Sequence, residues 1–361
     1  MSGASPNRPV REDGDAHLEW CHEAVQGVSR TFALTIQVLE EPMSSYICVG
    51  YLLCRIADTV EDAGDIPPAE QAALLSLFDS VLDPETSVDV HDFEARVAEW
   101  VPAPDQRTDD WSVVANAPKV LRTFQALPAS VQGAIRPPAR ELVQGMAMFV
   151  ERYAEEGGLR IQTREELEEY CYYAAGTVGI LITNLLTREG VSERTEQRLY
   201  GTAESFGLLL QLVNVAKDVY DDFTEEDNVY LPARWLGEEG VDQEAVVEPE
   251  NRGAVTRVVR RTADHARRFL DDAQAYLETV PETDGNTLEA WAVPYLLAVG
   301  TLRELRRRPG DAADGTGVKV SREEVHAVMA AMAGDDARGD LAEYRELVAE
   351  RPLHEAELSG V

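Results

Sequence analysis

Two acidic clusters hold the chemistry this sequence could perform. "YLLCRIADTVED" (Tyr51–Asp62) ends in Asp58, Glu61 and Asp62, and "LLLQLVNVAKDVYDD" (Leu208–Asp222) ends in Asp218, Asp221 and Asp222. On a helix, Tyr51, Arg55, Asp58 and Asp62 share one face and Glu61 flanks it, while Gln211, Asn214, Asp218 and Asp222 share another. Spacing alone is weak: with 66 acids in 361 residues, an acid-x-x-acid-acid pattern arises about twice by chance. "EELEE" (Glu165–Glu169) and "DFTEE" (Asp222–Glu226) fit it too. The difference lies upstream. "MSSYICVGYLLC" and "FGLLLQLVNVA" contain no charge, whereas "EELEE" follows Arg164 among polar residues and "DFTEE" runs into a turn.

Two buried helices that each end in carboxylates would deliver them to a cavity or its mouth. Such an arrangement suits Mg²⁺, a hard ion held by a few carboxylates together with phosphate oxygens. The ions would neutralise charge on a departing diphosphate. Apolar walls would hold a hydrocarbon tail and keep water from a carbocation. A di-iron bundle site would want Glu-x-x-His pairs on facing helices, and no histidine accompanies either cluster.

The formal charge of −33 repels nucleic acid and anionic lipid, which excludes both as partners. It also opposes compaction unless screened, and molar salt shortens the Debye length to about 3 Å. The chain therefore reads as salt-adapted. Only Lys119, Lys217 and Lys319 stand against thirty arginines, and Lys217 directly precedes the second cluster. Cys21, Cys48, Cys54 and Cys171 show no metal spacing and read as buried reduced thiols of a cytoplasmic protein. No apolar run approaches a membrane span, and the N-terminus lacks the apolar core of a signal peptide.

The 3.6-residue period dominates, with no run of alternating strands and no Gly-x-Gly-x-x-Gly unit. Helices are expected at 16–27, 30–38, 43–62, 67–82, 90–101, 115–126, 128–156, 163–188 and 191–223. Further ones are expected at 253–280, 286–307, 321–333 and 337–350. Residues 1–15 read as a disordered polar lead, 16–350 as one helical domain and 351–361 as a tail. The stretch from Asp83 to Asp110 looks like a variable excursion. The class is all-α.

The ordered set of motifs resembles the head-to-head prenyl synthases, the squalene and phytoene synthases. "SRTFALTI" (Ser29–Ile36), the two acidic motifs, "GMAMFVE" (Gly145–Glu151), "YCYYAAGTVGILITNLL" (Tyr170–Leu186), "VYLP" (Val229–Pro232), "VPYLLAVGTLRE" (Val293–Glu304) and "VKVSR" (Val318–Arg322) carry the resemblance. It implies a single isoprenoid-synthase-type helical bundle around a central apolar cavity. It further implies that Asp58, Glu61, Asp62, Asp218, Asp221 and Asp222 hold Mg²⁺ and two diphosphates. Arg30, Arg55, Lys217 and Lys319 would contact phosphate oxygens, with help from Ser29. Tyr51 and Tyr170 would lie near the reacting carbons, and Phe32, Gln211 and Asn214 would line the pocket. Gly176 and Gly179 would permit close helix packing or a kink. The arginine-rich stretches 257–268 and 303–308 are expected to be surface faces paired with acids.

By this resemblance two farnesyl diphosphates condense head to head, and NADPH reduces the last cation in the squalene branch. "DTVED" and its context resemble that branch. "NVYLP", Ser321 and Lys217 depart from it, and they keep the phytoene or dehydrosqualene branch, which uses no reductant, as the alternative. A non-catalytic interaction or assembly homologue would be expected to lose acids from one cluster, and both are intact. The expectation is a soluble cytoplasmic enzyme without a transmembrane segment, with room for loose membrane association through its greasy product.

Overall fold

The computed structural model describes residues 9–334 and 336–356, with the side chains of residues 9–13, 15, 30 and 31 outside the description. The first half forms α1 (Pro9–Val28), α2 (Arg30–Val38), α3 (Met43–Glu61), α4 (Pro68–Leu82), α5 (Val90–Val97), α6 (Asp109–Ala115), α7 (Ala117–Ala126) and α8 (Ala129–Arg152). The middle forms α9 (Arg164–Cys171), a π turn (Tyr172–Gly176), α10 (Thr177–Thr187), α11 (Glu193–Lys217) and α12 (Val219–Glu226). The remainder forms α13 (Ala233–Glu238), α14 (Arg252–Ala266), α15 (Leu270–Thr279), α16 (Glu289–Arg307), α17 (Arg322–Met332) and α18 (Ala337–Glu350). Among the described residues there is no strand, only one isolated parallel bridge between Arg160 and Val229. The all-α class holds. No described helix is long and apolar enough to cross a membrane.

Three boundaries differ from expectation. Residues 9–15 belong to α1 rather than to a disordered lead, and residues 1–8 and 357–361 lie outside the described residues. The expected helix 191–223 breaks at Asp218, whose backbone turns to φ −102° and ψ 12°. The Asp222 N–H still donates to the Asp218 carbonyl at 2.9 Å, so the carboxylates stay in helical sequence across the break. The excursion before Asp110 contains α5 and opens α6, and it reaches the acidic site described below.

Helix α3 is the central rod. Its charge-free run is buried almost throughout, with Leu52, Leu53 and Ile56 wholly inaccessible. All four cysteines are free and buried. Helix α11 packs closely on α10 and on the π turn before it, since a Cβ at Gly179 would overlap the Ala203 carbonyl and one at Gly207 the Ala175 carbonyl. Gly176 ends the π turn, a helical irregularity common near functional sites. Gly207→Ala should therefore lower stability by about 1–3 kcal/mol through overpacking. Gly201→Ala, on the same helix with nothing within 4 Å, should raise it by about 0.5–1 kcal/mol. Denaturant midpoints of the two variants check this, and equal shifts would overturn the close crossing.

The arginine-rich stretches are paired as expected, with one exception in placement. Arg257 meets Glu239 at 2.7 Å and Arg261 meets Glu238 at 2.6 Å on the surface. Arg303 is buried, held by Glu324 at 2.7 Å and Glu304 at 2.8 Å, because it ties α16 to α17.

Candidate active site

The carboxyl end of α3 delivers the first cluster. Gln71 of α4 caps this end, its amide donating to the carbonyls of Val60 at 3.1 Å, Glu61 at 2.9 Å and Ala63 at 3.0 Å. Asp58 and Asp62 are half-buried and Glu61 is buried. Enclosure pushes the Asp58 carboxyl up to about 7, opposed by Arg55 and reinforced by Asp62. Enclosure and then the Glu226 charge push Asp62 to about 7 as well. Glu61 stands well above its ordinary value through enclosure and then the charges of Asp62 and Asp58.

The second cluster faces the first. Asp222 is held well above the carboxylate range by enclosure and then by Glu226, Asp218 and Asp62. Glu226, at about 7 mainly through enclosure, is a member the sequence reading missed. Asp221 is exposed, beside rather than within the crowded face. Lys217 ion-pairs with Asp218. Upstream on α11, Gln211 is half-buried and Asn214 exposed between buried Leu212, Val213 and Val215, so this stripe is accessible where its neighbours are not.

Arg55 lies between the acids. Its Nε donates to Asp110 Oδ1 at 2.7 Å, and its Nη1 is 3.7 Å from Asp58 Oδ2. Asp110, on α6, was not foreseen; no local pattern marks it. Tyr51 stacks on Phe32 with ring centroids 4.0 Å apart, and enclosure raises its phenol to about 12. Ser29 caps α2, its hydroxyl accepting the Phe32 N–H at 3.2 Å. The Arg30 side chain lies outside the described residues.

Tyr170 is tied to the acids. Its hydroxyl donates to Glu61 Oε2 at 3.4 Å and lies 3.1 Å from the Tyr230 hydroxyl. Burial holds both phenols well above their ordinary value. Asn228 donates to the Tyr230 hydroxyl at 3.2 Å and accepts the Leu159 N–H at 2.8 Å. Buried Arg160 completes this clamp through Asp227 at 2.7 Å and Glu244 at 2.7 Å. The sequence reading does not single out Tyr230, although it lies in the "VYLP" segment that carries part of the resemblance. Lys319 is exposed, in a segment whose Gly315 backs onto the Tyr220 ring of α12.

Among the described residues, no three His, Cys, Asp or Glu side chains form a metal cage by themselves. The acids nevertheless fit a divalent cation brought together with phosphate oxygens. Asp58, Glu61, Asp62, Asp222 and Glu226 crowd one another, and Arg55 and Lys217 are each already paired with an aspartate. Buried Glu61 Oε1 has no hydrogen-bond partner. Added positive charge would relieve this crowding. A cavity of about 490 Å³ opens elsewhere, among Arg164, Arg234, Trp235, Glu238, Arg261 and His265. Arg164, Arg234 and Arg261 around it are each paired with an acid, so the acidic helix ends, not this cavity, form the candidate site.

Comparison with known proteins agrees with this architecture. The chain is 27% identical over 290 residues to squalene synthase 1 of Arabidopsis thaliana, covering 80% of this chain and 65% of that protein. It is 26% identical over 285 residues to the squalene synthase of Mus musculus, covering 79% and 63%. To a presqualene diphosphate synthase of Botryococcus braunii it is 25% identical over 311 residues, covering 84% and 70%. The chain thus spans about 65% of the length of the Arabidopsis relative. A solved structure of TcSQS with a ligand shares the fold with a TM-score of 0.77 at 23% identity, covering 93% of this chain and 91% of that one. A ligand-bound dehydrosqualene synthase does so with a TM-score of 0.60 at 20% identity, covering 92% and 99%. The description of the squalene/phytoene synthase family matches residues 25–324, and the chain belongs to that family.

Proposed function

We propose that the protein is a squalene synthase, condensing two farnesyl diphosphates head to head through presqualene diphosphate and reducing the product with NADPH. One observation carries this reading: the acids of α3 and α12 crowd together beside Arg55, Lys217 and the Tyr51 and Tyr170 phenols. The relatives named squalene synthase and presqualene diphosphate synthase support it.

Asp58, Asp62, Asp218 and Asp222 would hold Mg²⁺, with Glu61 and Asp221 at the margins of that face. The ion would supply charge neutralisation at a departing diphosphate. Arg55, fixed by Asp110 through Nε, keeps its remaining N–H groups for phosphate oxygens. Lys217, Lys319 and Arg30 would add positive charge at the same diphosphates, with Ser29, Gln211 and Asn214 at the pocket wall. The stacked Phe32 and Tyr51 rings offer an aromatic face to a developing cation. Tyr170, its phenol neutral, can donate a hydrogen bond to departing diphosphate or guide proton loss.

A second reading, a dehydrosqualene or phytoene synthase without reductant, draws support from two features. Tyr230 of "VYLP" is joined to Tyr170, and the Ser321 hydroxyl is engaged as the cap of α17 rather than offering charge to a nucleotide phosphate. The protein is further proposed to be cytoplasmic and salt-adapted. Purified protein in molar KCl, given farnesyl diphosphate and Mg²⁺, should form squalene only when NADPH is added. Dehydrosqualene regardless of NADPH, or phytoene from geranylgeranyl diphosphate with no squalene, would select the second reading.

A further inference from the structure

The Tyr170 phenol is held by a polar chain that starts on the backbone. Residues 159–161 run beside the "VYLP" segment: the Val229 N–H donates to the Leu159 carbonyl at 2.8 Å, and the Ile161 N–H to the Val229 carbonyl at 3.1 Å. The Leu159 N–H in turn donates to Asn228 Oδ1 at 2.8 Å. That bond fixes which way the buried Asn228 amide points, because a backbone N–H can be accepted only by the amide oxygen. Its Nδ2 is therefore turned to the Tyr230 hydroxyl at 3.2 Å and to Glu226 Oε2 at 3.4 Å.

Tyr230 passes this constraint to Tyr170. Both side chains are buried, their hydroxyls lie 3.1 Å apart, and their ring centroids are 4.8 Å apart. Phe149 of α8 packs edge-to-face on the Tyr170 ring with centroids 5.3 Å apart. The Tyr170 hydroxyl has one hydrogen and two acceptors within reach, the Tyr230 oxygen at 3.1 Å and Glu61 Oε2 at 3.4 Å. The Glu61 contact is the longer one, and Glu61 belongs to the face that a cation would engage. The Tyr230 contact needs no acid of that face, so it holds the phenol in one place whether or not the face is engaged.

We propose that Tyr230 and Asn228 are positioning residues for Tyr170, keeping its hydroxyl beside the acidic face where a departing diphosphate would meet it. The inference rests on the role given to Tyr170 above. Neither residue has to touch substrate: Tyr230 acts through the Tyr170 oxygen, and Asn228 acts through Tyr230.

Steady-state release of diphosphate from farnesyl diphosphate with Mg²⁺ tests this, a readout common to the squalene and dehydrosqualene readings. Tyr230→Phe keeps the ring and deletes the hydroxyl. It should lower kcat about tenfold and leave KM within about twofold, since the lost contact aims a group rather than binding substrate. In a Tyr170→Phe background the same change should alter kcat by less than about twofold, because no phenol remains to be positioned. Asn228→Asp keeps the acceptor toward Leu159 and loses both N–H donors. It should lower kcat in the same way, and it carries the test if Tyr230→Phe melts well below wild type. Unchanged kcat in the folded variant, a raised KM with kcat intact, or a full tenfold loss in the Tyr170→Phe background would overturn the proposal. Those results leave the role of Tyr170 standing as long as Tyr170→Phe itself is slow. No release by the wild type, or Tyr170→Phe at the wild-type rate, would remove that role and the proposal together.

Discussion

Asp58→Asn and Asp218→Asn should each lower turnover by about a thousandfold or more while the protein stays folded. Loss of one charge that holds the diphosphate-bound cation removes several kcal/mol of transition-state stabilisation, and about 4 kcal/mol corresponds to that factor. Folding should survive for a reason visible in Asp58 itself. Its carboxyl is pushed up to about 7 because enclosure disfavours its charge, so a neutral amide of the same shape relieves the unliganded fold. The melting temperature of metal-free Asp58→Asn should match or exceed wild type. Glu165→Gln is the control, because Glu165 opens the look-alike "EELEE" and pairs only with Arg164 and solvent. Asp221→Asn, altering an exposed carboxylate, should cost far less than Asp218→Asn. Near-normal turnover in Asp58→Asn or Asp218→Asn would reduce that cluster to solvated surface acids.

The acidic site was legible in the sequence where burial and charge alternate along one helix, and illegible where distant segments assemble it. The charge-free run before Asp58 announced a buried helix, and α3 occupies it almost residue for residue. Helix α18 likewise begins and ends where its periodicity places it. The break at Asp218 has no glycine or proline to mark it. Asp110 joins Arg55 across 55 residues, and the Leu159 N–H joins Asn228 across 69. Local patterns cannot encode such pairs, since they arise only when helices pack. Glu226 shows the same limit from the other side. The sequence reads "DFTEE" as running into a turn, whereas these residues form the end of α12, whose next residue, Asp227, is bonded to Arg160, and Glu226 lies near enough to Asp62 to raise it. An acid that its local context marks as solvated joins the crowded face through tertiary contact.

The metal-free protein should lose stability as pH rises from 5 to 8, and Mg²⁺ should restore it at pH 8 but barely at pH 5. Asp58, Asp62 and Glu226 titrate near about 7 in the folded chain, against about 3.9 for Asp and 4.3 for Glu when unfolded. Between about 4 and about 7 the folded state therefore binds more protons than the unfolded state, and stability falls with rising pH across that window. Glu61 and Asp222, also raised, act in the same sense. Carboxylates held low, Glu304 by Arg303 and Asp314 by the Thr316 backbone N–H, lose their contribution only on acidification below their unfolded values, outside this window. His265 works oppositely. Burial holds its imidazole below the ordinary value, so its penalty lies at the acid end and fades as pH rises. The cation dependence separates the two effects, because Mg²⁺ binds ionised carboxylates and has no purchase on His265. Asp62→Asn should flatten the pH slope and shrink the Mg²⁺ shift together. Melting temperatures that stay flat from pH 5 to 8, or an Mg²⁺ shift equal at both ends, would show that the acids do not crowd one another as the structure places them.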